Sequence, residues 1–217
     1  MNVTDRDAAD QSGASSATLA CYDAHAAQYA ARATTSGPLT SLVWRMVSAA
    51  GLLNPGTTVL DAGAGPGLDV AALATRGIRA YGVEPSQGMR DQAAKYAPGL
   101  VHLGNLGELG VPAASFDVVV SAAALHHLPR HAHGAALTEL ARAVRTGGGV
   151  AVSTETGTST GRLEQSPWGG QRYYQPSSAQ ELTELFERAG LDFAVCETDS
   201  SNRQWVAVLG YRRRNPA

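Results

Sequence analysis

Residues 57–67 read Thr57-Thr58-Val59-Leu60-Asp61-Ala62-Gly63-Ala64-Gly65-Pro66-Gly67. A short apolar run ends in a carboxylate, glycines follow at alternate positions, and a helix-forming run begins at Leu68. The pattern predicts a strand, a tight turn and a helix. Such a turn at the carboxyl end of a strand is where an α/β sheet binds its ligand. A dinucleotide site needs G-x-G-x-x-G. Pro66 alone separates Gly65 from Gly67, so this turn is one residue tighter. With Asp61 before it, the turn suits a ligand that carries a cation rather than a pyrophosphate.

Strand and helix alternate outward from this stretch. Upstream, Leu19, Tyr22, Ala26 and Tyr29 recur at helical spacing over 18–33, and a second helix is expected over 39–51. Residues 1–16 are rich in Asp, Ser and Ala and are expected to form a disordered tail, leaving 17–217 as a single domain. Downstream, a helix over 68–76 leads to a strand over 78–83 that ends in Glu84. A helix from Pro85-Ser86 to Tyr96 and a short strand over 100–103 precede Asn105. Phe116 to Ser121 is apolar and β-branched, as a strand buried on both faces should be. A helix over 134–145, a turn at Gly147-Gly148-Gly149 and a strand over 150–154 come next. Residues 156–177 are Gly-, Ser- and Pro-rich and predict a long functional loop. Ser178 opens a helix with Glu181 at capping-box spacing, and 191–197 with 204–211 reads as a hairpin. The sum is a mostly parallel sheet covered on both faces, with an antiparallel strand near its end.

Composition narrows the function. The 217 residues are 44% hydrophobic and 17% charged with net charge −2, ordinary for a globular domain and without the basic footprint of a nucleic-acid binder. Arg212-Arg213-Arg214 reads as a solvated tail. Cys21 and Cys196 make no disulfide framework and suggest a reducing, cytoplasmic setting. No apolar run reaches the ~18 residues of a membrane span, and the acidic, polar start is unlike a signal peptide.

Five segments occur in a telling order: VLDAGAGPG, GVEPS, LGNLGEL before SFDVVVSAAALHHLPR, and ARAVRTGGGVAVS. In this the chain resembles class I S-adenosylmethionine-dependent methyltransferases over roughly 18–211. It looks closest to small single-domain enzymes with a GPGxD turn, a YYxPSSAxELxxLFERAGL tail and a Trp on the last strand. The resemblance implies a Rossmann-like, doubly wound α/β sheet of seven strands, mostly parallel, with one antiparallel strand from a C-terminal hairpin. Helices cover both faces, and the leading helices over 18–52 form a lid. It also implies S-adenosylmethionine as cofactor. Asp61 and the backbone of Gly63, Ala64, Gly65 and Gly67 would hold its methionine part, and Glu84 the ribose hydroxyls. Pro85, Ser86, Met89 and Leu106 would border the adenine. Asn105 stands where the family usually has Asp and would accept from the adenine amino group through its amide oxygen. The backbone of Ser121 and Ala122 would face the methionine part and the sulfonium. Asp69 would support the ammonium, or simply match the helix dipole. Met89 is equally readable as core.

Methyl transfer is an in-line displacement helped chiefly by proximity, and an oxygen or amine acceptor also needs a base. Histidine fits best. Four of the six histidines cluster as His126, His127, His131 and His133. His127 is the first candidate base and His126 the second. No metal is expected, because the cluster lacks paired cysteines. On the leading helix, Tyr22 and Tyr29 share a face with Arg32 nearby; the resemblance sets the Tyr side chains near the methyl group and Arg32 near the carboxylate. For Tyr22 a plain packing role stays open. Glu155 is a candidate acid, base or substrate-orienting carboxylate, or a solvated loop residue. Arg172, Tyr174 and Trp168 are expected at the substrate pocket, and Trp205 either there or in the core. The expected partner is a small-molecule acceptor, with no nucleic acid or membrane, for a monomer or homodimer. Two alternatives stay open: cyclisation of the cofactor to an azetidine amino acid with release of methylthioadenosine, and a non-catalytic cofactor-binding protein.

Overall fold

The structure is a computed structural model that describes the backbone of residues 3–200 and 204–214, with side chains from Ser15 on. Its helices are α1 (Val3–Ser36), α2 (Leu42–Ala49), α3 (Leu68–Thr75), α4 (Gln87–Tyr96), α5 (His133–Ala143) and α6 (Ala179–Arg188). Its strands are β1 (Thr58–Ala62), β2 (Arg79–Val83), β3 (Val101–His102), β4 (Phe116–Ala122), β5 (Val144–Glu155), β6 (Arg162–Gln165), β7 (Gln171–Tyr174), β8 (Leu191–Asp199) and β9 (Trp205–Arg212). Seven strands form one sheet in the order β3-β2-β1-β4-β5-β9-β8. Neighbours from β3 to β5 run parallel, and β9 is antiparallel to both β5 and β8. This is the expected Rossmann-like fold.

Alternation along the strands explains why both faces are covered. Leu60, Val119, Val150, Val152, Val206 and Val208 point to one side, against Leu137 and Leu140 of α5 and Leu182 and Phe186 of α6. Their neighbours Val59, Val118, Val120, Ala151, Ala207 and Leu209 point to the other, against Val43, Trp44 and Val47 of α2 and Val70 and Leu73 of α3. Each fully buried Val or Leu contributes about 1.5–3 kcal/mol, so these two clusters hold the sheet between its helices. Among the described residues, no helix is long and apolar enough to cross a membrane.

Three local differences from expectation have physical causes. First, the helix of α1 begins at Val3, inside the stretch expected to be a disordered tail. Ala8, Ala9, Ala14 and Ala17 favour helix. The same helix breaks its regular geometry at His25 (φ −122°, ψ 20°). Second, the 156–177 segment is not a plain loop: β6 and β7 pair antiparallel within it, joining Arg162 to Tyr174 and Gln165 to Gln171. Third, of the C-terminal arginines, Arg213 and Arg214 are exposed as expected, but Arg212 is half-buried and anchored. Arg212 Nη1 donates to the carbonyls of Val144 (2.6 Å) and Arg142 (3.2 Å), and Arg213 Nε pairs with Asp192 (2.7 Å).

Candidate functional site

The glycine turn is held by the neighbouring strand. The amides of Gly63 and Ala64 donate to the Val83 carbonyl at 2.8 and 3.1 Å. Gly63, Gly65 and Gly67 all have positive φ (88°, 52° and 75°), which side chains rarely tolerate. At Gly63 there is also no room: an added Cβ would lie 2.6 Å from the Ala124 Cβ. Gly63→Ala is therefore expected to destabilise the protein by about 1–3 kcal/mol, read as a lower urea midpoint at unchanged m-value.

Because β1, β2 and β4 are parallel neighbours, their carboxyl ends bring Asp61, Glu84 and Ala122 together. Two cavities open there. The larger, about 530 Å³, is bordered by Asp61, Asp69, Arg32 and the turn on one side, and by His126, His127, Trp168, Arg172, Tyr174 and Trp205 on the other. The smaller, about 330 Å³, is bordered by Glu84, Pro85, Met89, Asn105 and Leu106. Tyr22, Tyr29, Gly63, Gly65, Ala122 and His127 border both and mark their junction. Helix α1 roofs the pair, with Ser15, Thr18 and Leu19 over the smaller cavity and Arg32, Ala33 and Ser36 over the larger.

The carboxylates are the electrostatic signature. Asp61 is 3% exposed and its Oδ1 is shielded from solvent without a hydrogen-bond partner. Burial pushes its pKa well above the usual carboxylate range, and the negative charges of Asp69 and Glu84 push it further. Glu84 is buried too, but its oxygens accept from Gly65 N and Ser86 N, both at 2.9 Å. Burial raises its pKa and those two bonds oppose the rise. Asp69 accepts from Leu39 N (2.5 Å) and from the Trp44 indole (2.8 Å), which ties the α1–α2 link and α2 to the start of α3. Asp69 thus fixes the α1–α2 link and α2 beside the glycine turn. Trp44→Phe leaves a half-buried carboxylate oxygen short of a donor, and chemical denaturation should show a loss of about 1 kcal/mol.

The expected base has a defined tautomer. His127 Nδ1 lies 2.7 Å from the Tyr173 carbonyl, which can only accept, so Nδ1 carries the proton. Nε2 then accepts from the Tyr22 hydroxyl at 2.8 Å. Burial raises the Tyr22 pKa far above that of a free phenol, so this hydroxyl stays neutral. His126 is 2% exposed, stacks on Tyr174 and accepts from Glu155 N through Nδ1 (3.4 Å). His133 is fully buried between the Leu128 carbonyl (3.1 Å) and Ser177 Oγ (3.3 Å), and burial lowers its pKa. It is a structural histidine, away from both cavities.

Several expected site residues stand elsewhere or differ in their bonding. Glu155 does not border either cavity; its Oε1 pairs with Arg162 Nη2 at 2.7 Å. Ser121 is buried in β4 with its hydroxyl away from both cavities, so only Ala122 of that pair lines them. The Asn105 amide oxygen already accepts from Gly107 N (2.8 Å) and Glu108 N (3.0 Å). Its lone pairs are thus taken by the turn, and Nδ2, a donor, is the atom left for a ligand. Trp205 borders the larger cavity and also packs against the core cluster on that face of the sheet. Two features carried no sequence signal. Ala123 holds a left-handed φ of 55° where both cavities meet, and the Tyr173 carbonyl orients His127. Among the described residues, no cluster of three potential metal ligands occurs.

S-adenosylmethionine fits this set of groups. A cation satisfies the partnerless Asp61 oxygen, Glu84 keeps lone pairs for two hydroxyls, and Met89 and Leu106 offer an apolar slot for a flat ring. The comparisons agree. Residues 60–152 match the family model for a methyltransferase domain. The matched stretch holds the end of β1, the glycine turn, Glu84 and β4, so it is the part of the chain that builds the site that is similar to a methyltransferase domain.

Among its relatives is a protein of Mycolicibacterium smegmatis named "Probable S-adenosylmethionine-dependent methyltransferase", 33% identical over 138 residues that cover 63% of this chain and 52% of that one. An uncharacterized methyltransferase of Geobacillus is 26% identical over 166 residues, 70% of this chain and 76% of that one. The chain spans about half the length of the first two curated relatives it matches. Among solved structures, the 1,6-didemethyltoxoflavin-N1-methyltransferase of Burkholderia thailandensis, with 1,6-didemethyltoxoflavin and S-adenosylhomocysteine bound, superposes with a TM-score of 0.70. It is 22% identical, with 94% of this chain and 91% of that one covered.

Proposed function

We propose that the protein transfers a methyl group from S-adenosylmethionine to a nitrogen or oxygen nucleophile of a small molecule. The observation that carries this is the buried Asp61 oxygen, partnerless beside two further carboxylates at a cavity wall. A site that concentrates negative charge in a low-dielectric pocket is built for a cationic ligand. Asp61 would hold the ammonium of the methionine part, the turn amides and Arg32 its carboxylate, and Glu84 the ribose. When bound, the cofactor supplies an electrophilic methyl group on sulfur.

The chain's own part in the chemistry is proton removal and placement. The acceptor's proton passes to the Tyr22 oxygen while the Tyr22 proton moves to His127 Nε2. His127 then carries both ring protons, with Nδ1–H held by the Tyr173 carbonyl. Tyr22 serves as a relay because burial forbids a free phenolate. A small acceptor is in keeping with a cavity of about 530 Å³ and with the 1,6-didemethyltoxoflavin bound to the Burkholderia neighbour.

Incubation with S-adenosylmethionine and a metabolite panel, followed by mass spectrometry, tests the reading. S-adenosylhomocysteine formed only with an acceptor supports it. Methylthioadenosine formed from the cofactor alone would instead establish cyclisation, and neither product would leave a binding protein.

A further inference from the structure

Arg172 on β7 is a charge that donor binding leaves over. Its guanidinium carbon stands 5.7 Å from the Tyr22 ring centre, 5.6 Å from that of Trp168 and 5.5 Å from that of Tyr174. Its Nε is shielded from solvent without a hydrogen-bond partner, and Nη1 reaches the Tyr22 hydroxyl only at 3.5 Å. The cross-strand neighbour Glu164 is engaged by Arg162 instead (2.6 Å), as is Glu155 (2.7 Å). Among the described residues, no carboxylate forms an ion pair with Arg172. The larger cavity is therefore polarised, with carboxylates on the side of the glycine turn and a half-buried guanidinium on the side of the β6–β7 hairpin.

A guanidinium is a planar fork that matches a carboxylate or a ring-borne anion, and it stacks on flat π-systems. Aromatic walls around it select a flat ligand, through edge and face contacts rather than bulk. Tyr22 links this cation to the proton relay, so a ligand anchored at Arg172 lies beside the hydroxyl that would take its proton.

We propose that Arg172 receives the anionic group of a flat acceptor, so that the acceptor class is a planar aromatic or heteroaromatic acid. This rests on the methyl-transfer reading, and the test separates the two. Protein saturated with S-adenosylhomocysteine is titrated with 2-naphthoate and with 2-naphthamide, which share a ring and differ in charge. Binding is followed by calorimetry and by tryptophan fluorescence, since Trp168 and Trp205 line the cavity. The naphthoate is expected to bind at least tenfold tighter. Arg172→Gln should erase that preference, leaving the affinities for naphthamide and S-adenosylhomocysteine within about twofold of wild type; Arg172→Lys should keep part of it. Absence of naphthoate binding, equal affinities for the two probes, or a preference that survives Arg172→Gln overturns the proposal. Loss of S-adenosylhomocysteine binding in both variants also overturns it, by assigning Arg172 to the donor's carboxylate or to the scaffold. If the wild type itself fails to bind S-adenosylhomocysteine, the methyl-transfer reading falls and takes the proposal with it. If the wild type binds it and discriminates no probe, only the acceptor class falls.

Discussion

Asp61→Asn is expected to weaken cofactor binding severely and, at the same time, to raise the melting temperature of the free protein. The variant keeps the shape and removes the charge. Removing one member of a buried charge pair costs about 2–5 kcal/mol of binding, so calorimetry with S-adenosylhomocysteine should show a loss of roughly thirtyfold or more. The stability effect has the opposite sign. Burial and the neighbouring Asp69 and Glu84 raise the folded pKa of Asp61 above its unfolded value. Such a group favours the fold fully only below the unfolded pKa, and that contribution is lost as pH rises through the folded pKa. At neutral pH, well above the unfolded pKa, the wild type has lost part or all of that contribution, and the asparagine variant has no such group to lose. Affinity for the cationic cofactor should run the other way, falling as acidification protonates Asp61. A variant that binds as wild type would remove Asp61 from the site.

The second large effect is kinetic. With an acceptor found by product screening, Tyr22→Phe and His127→Ala should each slow the single-turnover rate by about 10²–10⁴-fold. S-adenosylhomocysteine affinity should stay within a few-fold of wild type. The two groups act as one path, so the double variant should be scarcely slower than either alone. The comparison has a sharp alternative: full activity in Tyr22→Phe with a dead His127→Ala would mean that His127 takes the proton directly. Full activity in both would leave proximity as the whole of catalysis.

The groups proposed for the donor side were readable in the sequence because they are written in backbone chemistry. A glycine turn with positive φ at three positions, and acids at the ends of adjacent strands, occupy fixed places relative to one another once β1 and β2 pair. The acceptor side was less readable because long-range side-chain pairing decides it. Glu155 sits at a strand end like Glu84, yet Arg162 seven residues on draws it into an ion pair. The β6–β7 hairpin was hidden because Arg162–Gln165 and Gln171–Tyr174 are four-residue polar strands among turn formers, too short for alternation to show. Asn105 was read for the chemistry of its side chain, but the turn two residues on claims its oxygen. Asp69 was given a dipole or ammonium role, when its partners, Leu39 and Trp44, arrive from a helix and linker before β1. No local pattern announces a contact of that kind.

The Tyr22 hydroxyl that completes His127 rides on α1, and α1 is also the roof over both cavities. Any displacement of α1 away from the cavities therefore breaks the Tyr22–His127 bond as well, so the movement that would widen access to the pockets is the same one that takes the donor from His127 Nε2.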